Sequence, residues 1–303
     1  MRDQAERLRQ LVRQEESLPP EDKRRIRVIA VTSGKGGVGK TNIAVNLGLA
    51  LQEMGAEVLL MDADLGLANV DILLGILPLY SVKDALMGKV GLNDIICAGP
   101  GGIQIIPGGS GLQELIDLPE ERLEEFISSL EELQERFDYL LIDTGAGISR
   151  SVTSFIYAAD QILLVTTPEP TAITDAYALV KTILHQLPEA NLGLVVNRAA
   201  SLGEAQETYR KLNMAVHSFL GGEMPFIGWV ADDPIMQRAV RSQKPLLLLA
   251  PDSSLGRHFR HLARTLHQRL RVTDLGSESE RVPLGSSPGE GFFAKLRGFF
   301  LGK

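Results

Sequence analysis

The stretch Ser33-Gly-Lys-Gly-Gly-Val-Gly-Lys-Thr41 restricts the fold more than any other part of the chain. Gly34, Gly36, Gly37 and Gly39 let the backbone turn its N–H groups inward, which residues bearing a Cβ resist. The apolar run IRVIAVT precedes this loop and a helical pattern opens at Thr41. A glycine loop between a strand and a helix N-terminus cradles phosphate, because the helix adds its positive end to the ring of donors. Lys40 is placed to reach β- and γ-phosphates, and the Thr41 hydroxyl to ligate Mg²⁺. Lys35 is left over. A loop already lined with donors has little use for a second cation unless that cation addresses charge elsewhere.

A cradle of this kind needs a parallel sheet behind it. Seven runs read as strands: IRVIAVT, EVLLMDA, GIQIIP, YLLIDT, QILLVTT, LGLVVN and FIGWV. They are mostly continuous rather than alternating in hydrophobicity, as expected of strands covered on both faces. Longer helical patterns separate them, with starts marked by Ser81-x-x-Asp84 and by Asp233-Pro234. The expectation is an α/β fold: a doubly wound, mostly parallel sheet with helices on both faces and its ligand beyond the carboxyl ends of the strands. Carboxylates stand at those ends. Asp62 and Asp64 follow the second strand and Asp143 follows a fully apolar one, where Gly145 and Gly147 give the next loop freedom to move.

Composition narrows the setting. The net charge of −7 disfavours a protein that coats DNA through its whole surface. The single cysteine, Cys97, excludes an intrachain disulfide framework, fits a reducing cytosol and reads as a small core residue. The polar N-terminus is no signal peptide, and the longest apolar runs are too short to span a bilayer. The chain divides into residues 1–25, charged and ending in a Pro-Pro linker; the α/β body, 26–271; a flexible linker rich in Ser, Gly and Pro, 272–289; and a tail, 290–303. On a helix, Phe292, Phe293, Leu296, Phe299 and Phe300 of the tail fall within an arc of about 120°, flanked by Lys295 and Arg297. That pattern reads as an in-plane membrane anchor.

The loop Lys35-Gly-Gly-Val-Gly-Lys40-Thr41 resembles the deviant Walker A box of the MinD/ParA class of ATPases. The resemblance implies ATP and Mg²⁺ as ligands, with Gly34, Lys35, Gly36, Gly37, Val38, Gly39, Lys40, Thr41 and Asn42 around the phosphates. It makes Lys35 a residue that reaches the nucleotide of a partner copy, so that ATP binding yields a homodimer. It assigns Asp64 to the attacking water, with Lys40 and Lys35 as its catalytic companions. Asp62 and Asp143 join Thr41 around Mg²⁺, and Asn197 and Arg198 address the adenine. No N-K-x-D element is present, so the usual guanine reader is missing.

The N-terminal DQAERLR, together with GKTN and DADLGLANVD, resembles the flagellar branch of that class, the FlhG group (YlxH, FleN). This resemblance implies a regulator of flagellar number and placement. It also implies that residues 1–25 dock on the SRP-type GTPase FlhF, with Gln4 directed at the partner's site. Further flagellar switch components are possible partners, and nucleic acid is not expected. The location implied is cytoplasmic, reversibly peripheral to the inner face of the cell membrane. Division-site placement, as in MinD, and DNA segregation, as in ParA, stand as alternatives.

Overall fold

A computed structural model describes residues 26–64, 69–108, 119–279 and 291–302. Eight strands form one sheet: β1 Arg27–Ser33, β2 Val58–Ala63, β3 Cys97–Ala98, β4 Gln104–Ile106, β5 Tyr139–Ala146, β6 Gln161–Thr166, β7 Leu192–Ala199 and β8 Phe226–Ala231. Their order is β3-β4-β2-β5-β1-β6-β7-β8. All pairs are parallel except β3–β4. The helices are α1 Lys40–Glu53, α2 Val70–Leu74, α3 Val82–Leu86, α4 Leu92–Ile95, α5 Glu120–Glu132, α6 Arg150–Ala158, α7 Pro170–Gln186, α8 Leu202–Leu220, α9 Pro234–Arg241, α10 Leu246–Leu249, α11 Ser254–Ser279 and α12 Phe292–Leu301.

The continuous hydrophobicity of the strands has a direct cause. Along β1, Val28 and Ala30 enter the core on one side of the sheet while Ile29 and Val31 enter the core on the other. The first core is completed by α3–α8 and α12, the second by α1, α2 and α9–α11. Most residues of the central strands are therefore buried whichever way they point. Chain order reverses around β1: α1 carries the chain past β5 to β2, and α6 carries it back across to β6. The carboxyl end of β1 thus stands at the switch of winding direction, where such sheets leave a crevice.

Both capping signals operate. Ser81 N donates to Asp84 Oδ2 at 3.0 Å, and Asp233 Oδ1 accepts from Ile235 N at 2.8 Å ahead of Pro234. Strand β3 has only two residues and was missed in the sequence; it pairs antiparallel with β4 at the sheet edge. Cys97 lies there half-buried, with Sγ 3.7 Å from the Ile105 carbonyl, rather than deep in the core. A second difference concerns the expected linker. Helix α11 continues to Ser279, past the boundary at 271, because no proline occurs between Pro251 and Pro283 to stop it. The rest of that linker, 280–289, lies outside the described residues, as do residues 1–25 and Gln4.

Candidate nucleotide site and tail groove

The loop after β1 has the conformation its glycines permit. Gly37 and Gly39 take φ of 78° and 92°, and a Cβ on Gly34 would lie 2.2 Å from the main chain of Asp175. Above the loop is a cavity of about 480 Å³ lined by Gly36, Gly37, Gly39, Lys40, Thr41, Asn42, Asp64, Asn69, Ile72, Leu73, Ala146 and Val240. Lys40 is buried, and α1 begins at it, aiming its free N–H groups at this space.

Asp143 sits within β5, in register with Val31 of β1 and Asp62 of β2. It is fully buried, and neither carboxylate oxygen has a hydrogen-bond partner among the described residues. Burial pushes its pKa up to about 7, against the opposing pull of the Lys40 charge. A buried carboxylate with two orphaned oxygens, next to a hydroxyl and facing a polar cavity, fits a divalent cation. Thr41 and Asp143 are the residues that would hold Mg²⁺, which when bound supplies charge neutralisation between the phosphates.

Asp62 is used differently. Its Oδ1 accepts from Asp64 N at 3.0 Å, and its Oδ2 from Asn69 N at 3.0 Å and Val70 N at 3.1 Å. The carboxylate ties Asp64 to the start of α2. Burial raises its pKa to about 6, while the three N–H donors hold it from going higher. Asp64 lines the cavity, and Asn69 Nδ2 donates to its Oδ2 at 3.3 Å.

Asn197 turns its side chain towards the phosphate loop. Its Nδ2 donates to the Val38 carbonyl at 2.7 Å, tying the end of β7 to the phosphate loop from behind. Arg198 adopts a left-handed φ of 57° and stands exposed beside Asp232, at 3.8 Å. It lines a neighbouring cavity with Thr167, Pro168, Glu169, Glu204 and Asp232. The two residues expected to act together are therefore divided, one behind the loop and one in the second cavity.

Lys35 points away from the phosphate cavity. Its Nζ donates to Glu169 Oε2 at 3.0 Å and to Thr171 Oγ1 at 2.7 Å, both at the start of α7. The lysine in turn holds the Glu169 carboxyl below its ordinary range, by hydrogen bond first and charge second. Sequence reading missed Glu169 and Thr171. The available signal was Glu169-Pro170-Thr171, a helix start with proline in its first turn at the end of a strand beside the loop.

The tail helix α12 is seated on the body, against α5 and α6. Phe292, Phe293 and Leu296 are buried there, Phe300 meets Phe155 edge-on at 6.4 Å, and Phe299 lies 5.3 Å from Tyr157 while staying 38% exposed. Arg297 closes the groove. Its Nε donates to Glu124 at 2.7 Å, and its Nη2 to Glu131 at 2.7 Å and to Ser128 at 3.2 Å. Most of the apolar arc expected to face lipid is in this state covered by protein. Among the described residues no helix is long and apolar enough to cross a membrane.

Sheet order, deviant loop and buried strand aspartate together define a MinD/ParA-type P-loop ATPase, with ATP and Mg²⁺ as its ligands. A family model described as "AAA domain" matches residues 26–194. Antiactivator FleN of Pseudomonas aeruginosa is 40% identical over 239 residues, covering 79% of this chain and 85% of FleN. Flagellum site-determining protein YlxH of Helicobacter pylori is 36% identical over 254 residues, covering 83% and 85%. The Mg-ADP complex of septum site-determining MinD from Pyrococcus horikoshii superposes with a TM-score of 0.64 at 26% identity, covering 85% of this chain and all of that one. The chain belongs, within that class, to the FlhG branch that includes FleN and YlxH.

Proposed function

We propose that this ATPase regulates flagellar number and placement as an ATP-driven dimerisation switch that moves on and off the inner membrane. The observation that carries the reading is the position of Lys35. It sits beside the phosphate loop, outside the phosphate cavity, and among the described residues it is held by the exposed Glu169 and Thr171. An exposed pair of this kind is worth about 1 kcal/mol or less. A partner copy's triphosphate is a stronger attraction for the ammonium, so two loops facing each other exchange lysines. Lys40 then neutralises charge on its own nucleotide. Asp64, held by Asn69 and by the Asp62 carboxylate, orients the attacking water.

The tail follows from the same event. Gly147 N donates to Ser33 O at 3.1 Å, so the loop after β5 is fastened to the end of the strand carrying the cradle. Helix α6 begins at Arg150 and carries Phe155 and Tyr157, which touch the tail. A γ-phosphate that draws this loop inward shifts α6 and weakens the seat of α12. The freed helix is short and binds lipid marginally alone, whereas two on one dimer gain roughly 10²–10⁴ in avidity. Residues 1–25, through Gln4, would stimulate the GTPase of FlhF.

Flotation of the full chain with liposomes tests this in ADP and in a hydrolysis-resistant ATP analogue with Mg²⁺. Floating dimers in the analogue and sedimenting monomers in ADP are expected. A monomer saturated with the analogue would sink the reading.

A further inference from the structure

Between residues 234 and 273 the sequence holds eight lysines and arginines and a single acidic residue, Asp252, in a chain whose totals are 31 against 38. A charge excess so confined demands a place in the fold. Much of it lies on α11. Leu255, Phe259, Leu262, Leu266 and Leu270 bury one face of that helix in the second core. Arg257, His261, Arg264 and Gln268 form the exposed stripe, at the i, i+4, i+7, i+11 spacing of a single helix face.

Neither stripe arginine is neutralised. Arg260, nearer the body, is held by Glu53 at 2.6 and 2.9 Å. Arg257 reaches only the main-chain carbonyl of Asp252, at 3.1 Å, and neither Arg257 nor Arg264 forms an ion pair among the described residues. Arg238, Arg241 and Lys244 around α9 are likewise exposed and unpaired there. Guanidinium groups free of carboxylates match the geometry of phosphate oxygens.

From this face we infer a second membrane contact: the α11 stripe docks on anionic lipid headgroups once the tail has inserted. The inference rests on the membrane reading above and deepens it. Two observations select lipid over other polyanions. Helix α11 is the described element that immediately precedes the tail in the chain, so insertion of the tail brings it to the surface. A ten-residue helix is moreover a weak anchor that needs a second signal, and a basic patch is a common one. The docked tail belongs to the opposite core from α11. The stripe and the tail therefore engage one bilayer only after α12 leaves its groove.

The test is flotation of the full chain in the hydrolysis-resistant analogue, on vesicles of phosphatidylcholine alone and with added phosphatidylglycerol. Wild type should bind the anionic vesicles more tightly. Arg257→Ala with Arg264→Ala should lose about tenfold on anionic vesicles and nothing on neutral ones, while Arg257→Lys with Arg264→Lys keeps most of the binding. High salt should erase the difference. Equal anionic preference in wild type and the Ala pair, alongside loss of flotation in Phe299→Glu with Phe300→Glu, would overturn the stripe alone. Flotation of that tail variant like wild type would overturn the membrane reading and the stripe with it. Retention on double-stranded DNA that the Ala pair abolishes, with lipid binding unchanged, would assign the face to nucleic acid instead.

Discussion

The phosphate cavity and the tail groove lie at opposite ends of one short path, from β5 through α6, and they are finished to different degrees. At the phosphate end the chemistry is open: Asp143 keeps two buried oxygens without a donor beside a polar space of about 480 Å³. At the tail end it is closed: Phe292, Phe293 and Leu296 are buried, and Arg297 has three acceptors within 3.2 Å. An open site is completed by whatever brings the missing charge. A closed one changes only if something displaces what it holds. The order of events in the proposed switch follows, with nucleotide first and tail second.

The largest effect that could break this contrast lies in the cavity. Lys40→Ala removes the buried ammonium that faces the phosphates; ATP turnover should fall more than about a hundredfold, and retained turnover would mean the open end was misplaced. Phosphate-release kinetics measure it.

Next comes the buried aspartate. Its pKa in the fold, about 7, exceeds the ordinary 3.8. The nucleotide-free protein is therefore not penalised below pH 4 and loses stability as pH rises from about 4 to about 7, where the unfolded chain ionises and the folded one resists. Asp143→Asn should remove that slope and stabilise the empty protein at pH 8 by about 2–4 kcal/mol. Thermal melts at pH 6 and pH 8 read this directly. Mg²⁺ with nucleotide should protect wild type more at pH 8 than at pH 6.

At the closed end, Arg297→Ala should loosen the tail by about 1–2 kcal/mol, since its carboxylate partners are partly exposed. Flotation without ATP should rise roughly tenfold or less, and no rise would show the groove does not depend on the arginine. The smallest effect is Glu169→Gln, which releases Lys35 from its ion pair. Dimerisation in the analogue should strengthen about twofold to fivefold by sedimentation, and a weaker dimer would mean Glu169 helps the partner contact rather than restraining the lysine.

The contrast also explains what the sequence made legible. Lys40, Thr41 and Asp143 could be placed because local backbone rules tie each to a strand end, and the strand ends were marked by apolar runs. The seven strands followed for the same reason. Asn197 shows where this runs out. Its position at the end of β7 was readable, but its bond to Val38 joins residues 159 apart, and no local pattern encodes it. The tail was half legible: periodicity reveals which face is apolar, not which surface will cover it. Phe155 and Tyr157, which help to cover it, look like ordinary core residues of α6. The carboxylates Glu124 and Glu131 look like a solvated face of α5 until Arg297 reaches them.

The Asn197–Val38 bond has a further consequence. A cradle anchored from behind by a strand two places along the sheet has little slack, and a methyl group on Gly39 would press on the anchor itself, 2.4 Å from the amide nitrogen. The nucleotide thus lands on a fixed seat and cannot signal its arrival by bending that seat. News of the third phosphate has to leave through what borders the seat: Asp64, which lines the cavity, and the turn beyond Gly145, which reaches the cradle strand through the Gly147–Ser33 bond.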